Sequence, residues 1–213
     1  MDRPPYDKNQ IFVMKAGPDN WLDYAEELRN SMDYLWERKT WGIKMEYDDI
    51  DGFKEKSTIS RTWLLLAGFS IENLIKGLII AQNPSYISNG KLSRKLATHE
   101  ISNLAQSIKD ISLSIDEENL LIILEKCIPS WGRYPIPIHI DDLSPEINAT
   151  DKIKETFEAL FDKFYNQIEE MLKNTWKGPH GCSYNCSVSD LASGLDTQAF
   201  NEVIKHKTSR NTD

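Results

Sequence analysis

The sequence predicts an all-α protein, an antiparallel bundle of four to five helices, and three observations carry that prediction. Apolar residues recur at three- and four-residue steps in several long segments. One segment of more than twenty residues is apolar around most of its girth, as expected of a helix covered on several sides. No stretch sustains the two-residue alternation of a half-buried strand between turn signals, and no internal repeat is present. Mostly short connections between such helices imply antiparallel neighbours. Residues 1–176 read as one bundle domain, and 177–213, rich in Gly, Ser, Cys and Asn, as a peripheral, partly flexible tail.

In chain order, Asp19 or Asn20 is placed to cap a first helix beginning at Trp21, with Ala25, Leu28, Met32 and Leu35 on its buried stripe. It is expected to run to about Lys39 and break near Trp41-Gly42. The acidic cluster Glu46-Tyr47-Asp48-Asp49-Ile50-Asp51 reads as a solvated loop, because it lacks the oxygen-ligand spacing of a calcium loop. The apolar rod spans Thr58 or Ile59 to about Gln82 and is ended by Asn83-Pro84. Thr98 then caps a shorter helix with Ile101, Leu104, Ala105 and Ile108 inward. Ser114 or Asp116 starts a fourth, whose acidic first turn suits the positive end of the helix dipole. A Pro-rich strap covers roughly 129–145. The fifth helix is the cleanest periodic signal, from Ile153 through Phe157, Leu160, Phe161, Phe164 and Ile168 to Leu172, with Asn148 or Thr150 as its cap. A further short helix is expected near Thr197 to Lys205.

Composition bounds the function. At 213 residues and 40% hydrophobic, the chain can bury one sizeable core. The opening MDRPPYDKNQIFVM lacks the pattern of a secretory signal, and Glu72, Asn73 and Lys76 interrupt the most apolar window, so no membrane span is expected. Three cysteines fit a reducing cytoplasm. The net charge of −8 argues against a broad, sequence-blind grip on nucleic acid, though a small basic pocket remains compatible with it. No phosphate-binding loop, dinucleotide-binding glycine pattern or serine nucleophile elbow occurs, and no cofactor is implied. His180, Cys182 and Cys186, with His206, match no standard zinc spacing, so no metal is assigned.

The residues that bear on chemistry sit on the apolar rod. Glu72 and Lys76 are one turn apart with the acid first, the favourable order for an ion pair. Arg61, eleven residues before Glu72, falls about 20° from it on the helical wheel. Arg61, Glu72 and Lys76 therefore form one polar line, either a structural ion pair or the floor of a pocket, and buried charges of this kind must find partners. The Glu72-x-x-x-Lys76 element, followed by His99-Glu100-Ile101-Ser102-Asn103-Leu104 and then by Arg133-Tyr134-Pro135, resembles the HEPN family of helical domains (higher eukaryotes and prokaryotes nucleotide-binding). The resemblance covers approximately residues 20–175 in element order and rests on three short motifs.

That resemblance implies a compact helical bundle that often dimerises, and a role as a nucleotide- or RNA-binding module, a protein partner, or a metal-independent ribonuclease in defence or toxin–antitoxin systems. Ribonucleolytic members use an Arg, a gap of four to six residues, and a His: the Arg holds the phosphate and the His exchanges protons. Two places have that spacing, Arg94 to His99 and Arg133 to His139. Pro135 and Pro137 extend the second, setting His139 some 18 Å along from Arg133 at a rise of about 3.1 Å per residue. Arg94 and His99 are the candidate catalytic pair, and Arg61, Glu72, Lys76, Arg133 and Tyr134 the candidate pocket or ligand residues. The resemblance favours, ahead of catalysis, a structural role in which His99 hydrogen-bonds to Glu72 on the central helix. The expected partners are a second copy of the chain or another protein, together with a nucleotide or RNA, and no membrane.

Overall fold

The most apolar stretch of the chain forms its central helix. The computed structural model describes residues 7–47, 50–129, 132, 136, 139–142 and 147–186. In chain order they form α1 (Lys8–Lys15), α2 (Pro18–Trp36), a hairpin of β1 (Gly42–Tyr47) and β2 (Ile50–Ser57), and α3 (Ser60–Gln82). There follow a hairpin of β3 (Ile87–Ser88) and β4 (Lys91–Leu92), then α4 (Ile101–Gln106), α5 (Ile115–Cys127), α6 (Asp151–Lys173), and a last hairpin of β5 (Trp176–Lys177) and β6 (Ser183–Tyr184). The chain is mainly helical, with three separate two-stranded antiparallel sheets among the described residues.

Every residue of α3 from Leu74 to Ala81 is buried, and α2, α4, α5 and α6 all pack on it. By length and hydropathy α3 also passes as a membrane span, and 78% of its most apolar window is buried inside the protein. The Ser70 hydroxyl donates to the Ala25 carbonyl at 2.8 Å, and Gly77 faces Trp21, so α2 and α3 run antiparallel. A Cβ at Gly77 would come within 2.9 Å of the Trp21 Cβ. Hydrogen there is what lets the two backbones approach. Trp63 meets Phe157 and Gly77 faces Ile168, so α6 runs parallel to α3. Gly68 lies against Ile128 while Gln82 bonds Lys109, so α5 runs antiparallel to α3. Direction therefore alternates through α2, α3, α5 and α6. Trp36, Trp63, Phe157, Phe161 and Tyr165 form a continuous aromatic row across the bundle, each contact contributing about 0.5–1.5 kcal/mol beyond its area.

Several boundaries follow the capping chemistry. Ser114 caps α5 with a reciprocal box to Glu117, and Thr150 caps α6 by accepting from the Ile153 N–H. Elsewhere the structure corrects the sequence. The opening segment is not featureless: Asp7 and Gln10 form a capping box for α1, which buries Val13. Helix α2 begins at Pro18 rather than Trp21, since proline suits the first helical position. Asp19, freed from capping, accepts a short hydrogen bond from the Tyr184 hydroxyl. Glu46 and Tyr47 end β1, and Ile50 and Asp51 begin β2, so the acidic cluster enters both strands instead of forming a loop. The hairpin escapes a periodicity search because only β1 alternates, over Ile43-Lys44-Met45-Glu46-Tyr47, and the ladder sets Ile43 against Lys56 and Met45 against Lys54. Within the described part of the expected tail, Cys182 is buried, residues 179–181 pack on α1, and the Cys186 N–H donates to the Leu172 carbonyl of α6. Trp41, by contrast with Trp36 and Trp176, is exposed. The expected helix near 197–205 lies outside the described residues.

Candidate functional site

Two turns of α3 and one short segment build the site. Glu72 and Lys76 sit at the buried middle of α3, their side chains each 8% exposed, with Lys76 Nζ 2.5 Å from Glu72 Oε1. The other carboxylate oxygen, Oε2, lies 2.9 Å from His99 Nδ1. His99 reaches it from the stretch before α4, pinned on either side by buried Leu96 and Ile101. Local bonds set the ring's approach: the Thr98 hydroxyl accepts from the Glu100 N–H, and the Ile101 N–H donates to the His99 carbonyl at 2.8 Å.

An ionised carboxylate only accepts hydrogen bonds, so the proton in this contact belongs to His99 Nδ1. In the neutral ring Nε2 is then the basic nitrogen. The His99 side chain is 52% exposed while its Nδ1 is tied inward, so the outward edge carries Nε2. Chemically, the arrangement is a carboxylate that orients an imidazole and leaves its far nitrogen accessible, the geometry in which a base is held in place by a third group. Both Glu72 oxygens are occupied, one by Lys76 and one by His99, which leaves the acid no exposed face for a ligand.

The remaining sequence-predicted residues are placed apart from this group or outside the description. Arg94 and Lys95 are exposed on the 3₁₀ turn Arg94–Leu96, five and four positions before His99, and neither carries an ion pair among the described residues. Arg61 is half-buried in the first turn of α3, about 16 Å from Glu72 along the axis at 1.5 Å per residue, so the predicted polar line does not converge. Beside it, the Ser60 hydroxyl accepts from the Ala149 N–H at 3.0 Å and fixes the entry to α6. Arg133 and Tyr134 lie outside the described residues, and with them the Arg133–His139 pair; His139 itself is exposed. Among the described residues, no group of three or more His, Cys, Asp or Glu is placed to hold a metal ion.

No family model, curated protein or solved structure matches the chain.

Two polar clusters went unread in the sequence. Glu117 is buried with its carboxylate 2.6 Å from Lys163 Nζ, and Lys163 also donates to the Ser112 carbonyl at 2.9 Å. Burial pushes the Glu117 carboxyl up, but the Lys163 ammonium and the Ser114 N–H and hydroxyl outweigh it and hold the group below its usual range. The signal was the Ser114-x-x-Glu117 capping box, which fixes Glu117 at the inward start of α5. At the other end of the bundle, burial and then the Asp19 carboxylate push the Tyr184 phenol upward. Gly17 is required there, because a Cβ would come 1.9 Å from the Tyr184 hydroxyl. No local pattern links positions 19 and 184, so that contact carries no sequence signal.

Proposed function

We propose that the chain is a HEPN-like, cytoplasmic helical module that binds a nucleotide, RNA or protein partner without cleaving it. Its binding face is the segment bearing Arg94, Lys95 and the outward edge of His99. The observation that supports this reading is the saturation of Glu72. With Lys76 on one oxygen and His99 on the other, the buried acid acts as an anchor holding the segment before α4 against α3. Two exposed cations without ion pairs among the described residues then stand next to an exposed imidazole, a group suited to phosphate and base edges. In a chain of net charge −8, such a local patch is how an anionic partner would be met. The test is anisotropy of a fluorescent single-stranded RNA titrated with the purified protein. Saturable binding that falls at least about tenfold in Arg94→Ala/Lys95→Ala supports the reading, and binding untouched by that change removes it.

One observation favours a second reading, a metal-independent endoribonuclease of a defence or toxin–antitoxin system. His99 is oriented by a carboxylate with its basic nitrogen at the surface, and Arg94 stands one short turn away. Wild-type expression that arrests growth and fragments RNA, with both effects lost in Arg94→Ala/His99→Ala, would establish it. Harmless wild-type expression with intact RNA would dismiss it.

A further inference from the structure

At the carboxyl end of α3, away from His99, two hairpin turns wall a recess of about 630 Å3. One wall is Asn83 to Asn89, through the turn of the β3–β4 hairpin, and the other is Lys177 to His180 in the β5–β6 hairpin. Its size lies within the range of small-molecule sites. The lining divides by chemistry: Pro84, Ile87 and Pro179 are apolar, Ser88 and Asn89 are neutral and polar, Lys177 and His180 are cationic or protonatable, and no carboxylate takes part. Lys91, outside the lining itself, pairs with Ser88 across the β3–β4 ladder.

Like Arg94 and Lys95, Lys91 and Lys177 differ from several other lysines of the chain in their pairing. Lys152, Lys154, Lys163 and Lys173 all sit against carboxylates, as an acidic chain allows. Lys91 and Lys177 have no such partner among the described residues. The backbone is equally particular. Three non-glycine residues among those described have positive φ, and two of them, Asn89 at 49° and His180 at 56°, line this recess. Asn89 with Gly90 is what a two-residue hairpin turn demands. His180 is held in the left-handed region by its carbonyl, which accepts from Gln10 Nε2 at 3.2 Å. Backbone held in such sparsely populated regions concentrates at ligand sites.

We propose that this recess binds the phosphate monoester of a small organic molecule, with Lys177 and His180 around the phosphoryl group and Pro84 and Pro179 against the organic part. A lysine ammonium beside an imidazole, with no acid in the lining, matches a phosphate dianion better than a single carboxylate. The site is independent of the Arg94–His99 surface.

The test follows backbone amide shifts of the 15N-labelled full chain in chloride buffer at constant ionic strength, with ribose 5-phosphate, ribose, inorganic phosphate and a 5′-phosphorylated RNA oligonucleotide as probes. Saturable shifts confined to 83–91 and 177–181 are expected with ribose 5-phosphate. Affinity should fall about tenfold in Lys177→Gln and in His180→Gln, and stay unchanged in Lys152→Gln. Inorganic phosphate should bind more weakly, and ribose should leave the spectrum unmoved. Lys177 also meets the negative end of α3, so thermal midpoints are measured beside affinities, and His180→Gln decides the matter should Lys177→Gln fail to fold. Shifts that never saturate, affinity indifferent to both variants, ribose binding as well as its phosphate, or inorganic phosphate binding as tightly as the ester would overturn the proposal. Tighter binding of the oligonucleotide at these residues would reassign the site to nucleic acid and overturn it as stated.

Discussion

Replacing Lys76 with Met removes one partner of a buried pair and leaves the Glu72 carboxylate, 8% exposed, with His99 as its remaining donor. Orphaning a buried charge costs about 3–5 kcal/mol, and the surviving His99 bond places this case near the lower end, about 3 kcal/mol. For a domain of this size, that lowers the thermal midpoint by roughly 6–12 °C. Glu72→Leu orphans the ammonium instead and costs a comparable amount. The double variant Glu72→Leu/Lys76→Met leaves no buried charge. His99 then loses its acceptor but, being half exposed, recovers water, at a cost of about 1 kcal/mol. The double variant should therefore be no less stable than either single one, giving a coupling of at least about 3 kcal/mol in the cycle. Urea unfolding followed by helical circular dichroism measures all four proteins. Additive single effects, agreeing within about 0.5 kcal/mol, would refute the argument, because they would mean that acid and amine are each solvated without the other.

Lys163→Met should destabilise by about 2–3 kcal/mol at pH 7, and the loss should depend on pH. Glu117 has a folded pKa below its ordinary 4.5, so its contribution is present above that value and disappears as pH falls through the folded pKa. Wild type and variant should therefore converge in urea midpoint in strong acid; a gap that stays constant from pH 7 to pH 2 would contradict the pairing. Gly77→Ala forces a methyl to within 2.9 Å of the Trp21 Cβ and should cost about 1–3 kcal/mol, read as a lowered thermal midpoint. Burial pushes the Cys127 thiol up to about 12, so in the native protein at pH 8 an aromatic disulfide reagent should leave Cys127 untouched. Half-buried Cys186 should be the first of the three to react, and equal labelling of Cys127 would show that the α5 core opens readily.

Legibility in the sequence followed the range over which each feature is encoded. Helices α5 and α6 could be read within a few residues because apolar period and cap lie together, with Ser114 and Thr150 capping where their chemistry says they should, and α3, which has no side-chain cap, by its apolar girth alone. The Glu72–Lys76 pair and the His99 contact were legible for the same reason. One turn of helix brings the first two together, and a buried acid must take the nearest donor. Helix α1 was missed although its Asp7–Gln10 box is a local signal, because the helix has eight residues and buries only Val13, too little for an apolar period to show. The β1–β2 hairpin was missed because the alternation Ile43-Lys44-Met45-Glu46-Tyr47 is short and confined to one strand, without a matching run in β2. The burial of Cys182 and the Tyr184–Asp19 bond depend on residues more than 160 positions apart, and composition alone read that segment as a tail. The recess at the end of α3 is likewise assembled from two hairpins distant in the chain.

The measurement closest to the centre of this account is the nitrogen spectrum of the His99 ring near neutral pH. An acid sealed by Lys76 on one side requires the imidazole to carry its proton on Nδ1 and to present a bare Nε2. A resonance pattern of that tautomer, lost in Glu72→Gln, is the expected result. A ring protonated on Nε2, or a spectrum indifferent to Glu72, would mean that the helix does not hold the histidine, and the binding surface built on it would have no anchor.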